Sequence, residues 1–137
     1  MKMQPRGFTL TEILIVVVVL GVLAAFVLPR FFGQEEKGSV AEAIANLSAI
    51  RQAEASYFLE NSSTYTTSMA SLDIDDPNAP ASRKFNYTVA ITAGSPPTYK
   101  ATAQRIATAP DDFKNKTIIL NSDGTWDPTA SHPFKPK

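Results

Sequence analysis

The hydrophobic pattern of the chain changes twice along its length. From Ile13 to Leu28 there is no charged and no polar side chain. Counted from Phe8, that run approaches the roughly 20 apolar residues a helix needs to cross a bilayer. A one-sided pattern follows. Val40, Ile44, Leu47, Ile50, Ala53 and Tyr57 recur at spacings of three and four, the repeat of one helix face. Glu35, Glu36, Lys37, Glu42, Arg51 and Glu54 fall mostly off that stripe. The two patterns together predict one long helix from Phe8 to about Glu60, apolar all round over residues 8–32 and amphipathic over 33–60. Past residue 84 the period becomes two. Phe85, Tyr87, Val89 and Ile91 alternate with Asn86, Thr88, Ala90 and Thr92, and Tyr99, Ala101 and Ala103 alternate with Lys100, Thr102 and Gln104. A third strand is predicted at Thr117-Ile118-Ile119-Leu120, after which Asn121-Ser122-Asp123-Gly124 turns the chain toward Trp126.

Between helix and sheet, residues 61–84 are rich in turn formers: Asn61-Ser62-Ser63, then Asp73, Asp75, Asp76, Pro77, Asn78 and Pro80. Residues 128–137 contain Pro128, Pro133 and Pro136 and read as an extended, mobile tail. Short links between successive strands favour an antiparallel meander. One face of such a sheet needs a cover, and the Val40–Tyr57 stripe is the large apolar surface available for it. The predicted fold is therefore α+β: a long N-terminal stalk helix packed on a small antiparallel sheet of about three strands, spanning residues 85–127.

The start of the apolar run carries the most specific chemistry. Arg6-Gly7-Phe8-Thr9-Leu10-Thr11-Glu12 leads directly into Ile13. A carboxylate placed deep in hydrocarbon costs roughly 2.5–3.5 kcal/mol. A plain anchor gains nothing from Glu12, so a partner for it is implied. The order of features also differs from a secretory signal, in which the cleavage site follows the apolar stretch. Here the basic start, Lys2 and Arg6, ends in Gly7 and the apolar stretch comes after it.

This arrangement resembles the type IV filament superfamily, the type IV pilins and the pseudopilins of type II secretion. The resemblance is strong from Lys2 to about Phe32. It implies that residues 1–7 are a leader, cut after Gly7 by a prepilin peptidase that then methylates the new N-terminus at Phe8. Glu12 falls at the family's glutamate, five places into the processed chain, and is implied to contact the Phe8 amine of an adjacent subunit. Gly21 and Pro29 fall where pilins often carry helix-weakening residues, and proline has no amide hydrogen to donate. The implied partners are further copies of the chain, the peptidase, an assembly platform with its ATPase machinery, and the cytoplasmic membrane before assembly. The implied location is the inner membrane as a single-pass precursor, then an extracellular filament.

Composition narrows the remaining classes. There are 137 residues with 13 basic and 13 acidic side chains, and that balance points to no nucleic-acid partner. There is no cysteine, so the C-terminal region has to be held without a disulfide. No glycine-rich phosphate loop and no plausible triad occurs, so no catalytic residue, cofactor or metal ligand is assigned. The single histidine, His132, reads as a solvated tail residue. Asp73, Asp75 and Asp76 have the short spacing that suits calcium, but without a full ligand loop a solvated acidic turn is the simpler reading. Asn46, Asn61, Asn86 and Asn115 each begin an Asn-x-Ser/Thr sequon. Asn46 falls within the predicted helix, which leaves Asn61, Asn86 and Asn115 as glycosylation candidates. Phe8, Phe26, Phe31 and Phe32 read as stalk packing in preference to an aromatic conduction path.

The sequence thus favours a non-enzymatic structural subunit of a type IV pilus-like filament. The first alternative is a pseudopilin of type II secretion. Its major members usually carry Asp-Pro-Trp-Gly-x-Pro-Tyr after the stalk, whereas here Trp126 precedes Asp127-Pro128. The second alternative is a signal-anchored binding protein that never polymerises, which explains the anchor but neither Gly7 nor Glu12.

Overall fold

The computed structural model describes residues 7–137, with side chains described for all of these except 28–32. The leader residues Met1, Lys2 and Arg6, and the side chains of Pro29, Phe31 and Phe32, lie outside that description. One long helix, α1 (Leu10–Glu60), is followed by a single 3-10 turn at Met69–Ser71 and three strands, β1 (Phe85–Thr92), β2 (Thr98–Arg105) and β3 (Thr117–Asn121). The chain divides into two units, residues 1–37 and 38–137.

In the second unit the two sequence periods meet. The sheet is antiparallel in the order β1-β2-β3, as the short links require. Tyr87 pairs with Ala103 and Ala103 with Ile118; Val89 pairs with Ala101 and Ala101 with Leu120. This register puts Phe85, Tyr87, Val89, Tyr99, Ala101, Ala103, Ile118 and Leu120 on one face. They form a single core with Val40, Ala43, Leu47, Ile50 and Ala53 of α1. Leu47 and Ile50 are completely buried, as are Ala101 and Ala103 of the central strand. Small residues there leave room for the helix where it crosses the middle of the sheet. Ile44 and Tyr57 complete the stripe from its edges.

Both edges of the sheet are closed by irregular chain. Asn78 acts as a one-residue neighbour for β1: its Oδ1 accepts from the Tyr87 N–H at 2.8 Å and its Nδ2 donates to the Tyr87 carbonyl at 3.0 Å. Along β3 the C-terminal segment supplies the missing partners. The Asp127 N–H donates to the Ile119 carbonyl at 2.9 Å and the His132 N–H to the Thr117 carbonyl at 3.0 Å. The Thr117 N–H in turn donates to Ser131 Oγ at 3.0 Å. An unpaired edge is a template for unwanted pairing, and such covers remove it.

Residues 128–137 are therefore not the mobile tail their prolines suggest, and His132 is not solvated. It is 1% exposed. Its ring stacks on Phe113 at 5.8 Å and lies 5.9 Å from Phe85, and its Nδ1 accepts from the Phe134 N–H at 3.2 Å. Nor is the segment extended throughout: it turns at Pro128-Thr129 and at Pro133-Phe134, and it lies against an aromatic surface assembled from β1 and the β2–β3 connection. The same segment carries Asp127, whose carboxylate accepts from Lys100 Nζ at 2.6 Å and from the N–H and hydroxyl of Thr129. The Lys100 ammonium, followed by the Thr129 donors, holds this carboxyl well below the usual carboxylate range. In a chain without cysteine these contacts hold the C-terminal region in place.

Glu54 is the second departure. The amphipathic pattern puts it off the apolar stripe, yet it is fully buried. Just past the helix end, Ser62 and Ser63 both have positive φ (54° and 61°), and the chain turns back. The returning loop lays Tyr65 and Thr66 over Glu54, whose Oε2 accepts from the Thr66 N–H at 3.1 Å.

The turn after β3 yields a stability prediction. Gly124 has φ +89°, and a Cβ built there would lie 3.0 Å from the Arg51 guanidinium. Gly124→Ala should lower stability in urea unfolding by about 1–2 kcal/mol, the cost of a left-handed backbone for a residue with a Cβ. The arginine end can swing aside, so Arg51→Ala should not restore the loss.

Candidate functional site

The first unit offers a different surface. Gly7, Phe8 and Thr9 precede α1 without regular secondary structure. Thr9 caps the helix reciprocally with Glu12. The Glu12 N–H donates to Thr9 Oγ1 at 3.2 Å, while the Thr9 N–H and hydroxyl donate to Glu12 Oε2 at 2.9 and 3.1 Å. This is a capping box, in which two unpaired helix-end donors are satisfied at once. The carboxylate also sits at the positive end of the helix dipole.

Glu12 thus has a partner within its own chain. This differs from the expectation that Glu12 gains a partner only on assembly; Thr-x-x-Glu before an apolar run is a local capping signal. The cap explains how a carboxylate can be held at the start of the run. It uses one of the two carboxylate oxygens in the contacts described, and it accounts for shape and hydrogen bonding more than for charge, since glutamine serves as well in this motif.

Behind the cap lies an apolar surface with no protein cover. Leu10–Val27 is long and apolar enough to cross a membrane, with mean hydropathy 2.8 and none of it buried. Phe8 and Leu10 are almost fully exposed, and every large side chain from Ile13 to Val27 is more than half exposed. A helix that is apolar all round belongs in lipid or inside a bundle. At about 25 cal/mol per Å² of apolar area, water cannot be its resting environment. Gly21 lies on this surface with open space where a side chain would project, and α1 includes both Gly21 and Pro29.

The other sequence candidates are dispersed. Asn46 is half-buried in α1 and donates to the Tyr87 hydroxyl at 2.9 Å. Asn61 is exposed at the helix end, with its Nδ2 donating to the Tyr57 carbonyl at 3.0 Å. Asn86 is half-buried and accepts from Arg83 Nε at 2.8 Å. Asn115 is exposed, with φ 59°. Asp76 closes a turn by accepting from the Asn78 N–H at 2.8 Å. Among the described residues, no group of three or more His, Asp or Glu side chains is placed to hold a metal ion.

A family match falls on this N-terminal surface. Residues 2–28 match the family described as the prokaryotic N-terminal methylation motif. The type II secretion system core protein G of Vibrio cholerae is 38% identical over 87 residues, covering 61% of this chain and 59% of the relative. The protein of the same name from Dickeya chrysanthemi is 42% identical over 67 residues, covering 49% and 44%. The type IV major pilin protein PilA of Myxococcus xanthus is 44% identical over 55 residues, covering 40% and 25%. The chain thus spans about half the length of the curated secretion relatives it matches, and less of the pilin. No solved structure matches it significantly. With a methylation-motif segment leading into an exposed apolar helix, and relatives from both branches, the chain is similar to type IV pilins and to type II secretion pseudopilins.

Proposed function

We propose that this protein is a structural subunit of a helical surface filament, not an enzyme. It is made as a single-pass precursor in the cytoplasmic membrane, cut after Gly7 by a prepilin peptidase, methylated at Phe8 and drawn into the polymer by an ATPase-driven assembly platform. The observation that carries this reading is the uncovered apolar helix with one capped carboxylate at its start. In the filament such a helix exchanges lipid for neighbouring helices, so its apolar surface stays out of water throughout. One contact repeated head to tail gives an open helix in place of a closed ring. Cleavage would free an amine at Phe8, four residues before Glu12, and a neighbour's amine would give the carboxylate a charged partner that Thr9 does not. Gly21 and Pro29 would let the helix adjust as it leaves the bilayer.

The sequence favours a type IV pilus, whereas most of the curated relatives carry the name of type II secretion core protein G. That observation supports a pseudopilin as the second reading. Deleting the gene separates them. Loss of a surface fibre with normal protein export supports the pilus, and accumulation of exported proteins in the periplasm supports the pseudopilin.

Processing tests both. Intact mass of the membrane-extracted protein should show a chain beginning at Phe8 and carrying one added methyl group, and Gly7→Glu should leave the leader on. A mature chain that still begins at Met1, or one cut near Ala24-Ala25, would overturn the assignment of Gly7 and Phe8.

A further inference from the structure

We infer that Glu54 is a proton-controlled latch: as a neutral acid it holds the connecting loop of residues 61–72 on α1, and the hold loosens when it ionises. The latch rests on where its two oxygens lie. The residue is fully buried, Oε2 accepts from the Thr66 N–H at 3.1 Å, and among the described residues Oε1 has no hydrogen-bond partner. A buried carboxylate with one oxygen unpaired is costly, whereas the protonated acid carries no charge to desolvate. Burial accordingly pushes the Glu54 carboxyl above its ordinary value, against the opposing effect of the Thr66 N–H.

The titratable and charged groups around it do not relieve this. Tyr99 faces it from β2, and burial, then Glu54 and Tyr65, push that phenol up to about 12, so it stays neutral. Tyr65 faces it from the loop, packed between Phe58 at 4.6 Å and Tyr99 at 4.7 Å. Arg51, one turn earlier on α1, is exposed and directed to the β3 turn, where its Nε lies 3.5 Å from the Ser122 carbonyl and it acts on Asp123. Farther along, the loop is attached through apolar side chains: Met69, Leu72 and Ile74 pack with Tyr65 against the core. Leu72 is buried, but beside it a cleft of about 490 Å³ opens between α1 and residues 71–74, with Ala53, Tyr57 and Ile74 on its walls. The Glu54–Thr66 contact is the polar hold in this packing, and loosening it would weaken the closure that the apolar contacts share.

The sign follows from linkage. Once the loop opens, Glu54 returns to its ordinary value of 4.5. The closed form binds its proton more tightly, so closure is favoured fully below pH 4.5 and weakens as pH rises from there until the buried carboxyl has ionised. Within that window the opening constant should rise about tenfold per pH unit. The test is hydrogen exchange of the full-length protein in detergent, with rates converted to protection of residues 64–72 at each pH. The wild type should lose protection with that slope. Glu54→Gln, which keeps an acceptor for Thr66 and cannot ionise, should be flat across the same window. Equal slopes, or a flat wild type, would overturn the latch. Carbon-13 observation of the Glu54 carboxyl in the wild type gives a reading that does not depend on the variant folding. A titration midpoint above 4.5 supports the latch, and one at or below 4.5 overturns it.

Discussion

A full-length chain carrying Leu47→Asp is expected to lose the folded state of residues 38–137 while α1 residues in detergent stay helical. Leu47 is completely buried at the centre of the helix–sheet core, among Ile50, Phe85, Ala101 and Ile118. Removing a buried leucine side chain to alanine already costs about 2–5 kcal/mol. Aspartate adds an unpaired charge in the same site, one of the few changes that exceed that range. A domain of this size has about 5–15 kcal/mol in total. Near-ultraviolet circular dichroism and limited proteolysis should both show the loss. Leu47→Met, which nearly conserves volume, should cost less than about 1.5 kcal/mol and keep the fold. A protease-resistant Leu47→Asp protein would mean that the stripe does not pack on the sheet.

The second large effect is expected at Glu12, where two roles can be separated. As a capping residue it can be replaced by glutamine, which also satisfies a capping box. As a charged partner for a neighbour's amine it cannot. Glu12→Gln should therefore leave the helix start, membrane insertion and leader removal intact, yet lower the assembled fraction by more than tenfold. Breaking a pair inside a dry bundle leaves the other charge buried alone, at about 3–5 kcal/mol. Tenfold needs only about 1.4 kcal/mol of that. Thr9→Ala is the complementary variant: it removes the hydroxyl that Glu12 uses in the cap, at about 0.5–2 kcal/mol, and retains the carboxylate. Assembly impaired equally by both would reduce Glu12 to a cap.

What could be read from residues alone followed the range of the interactions. The Val40–Tyr57 stripe, the alternation of β1 and β2 and the turn at Asp123-Gly124 are local patterns, and the fold class followed from them. Glu54 and His132 were misplaced because their burial is decided from far along the chain. Thr66 and Tyr99 cover the first; Phe85 and Phe113 cover the second. Asn78 looked like any turn residue, since its pairing with Tyr87 depends on where the loop runs relative to β1. At the N-terminus the Thr9–Glu12 cap lies within four residues, and Thr-x-x-Glu is a local signal for it.

The central claim is that this chain leaves the membrane to become part of a polymer. Cells making the wild-type protein should be sheared, the filaments collected by high-speed sedimentation, and the subunit in the pellet identified by intact mass. The account predicts filaments containing a chain that begins at Phe8, with only a minor fraction left in the membrane. A processed chain that remains wholly membrane-bound, under conditions where the assembly machinery is active, would contradict it.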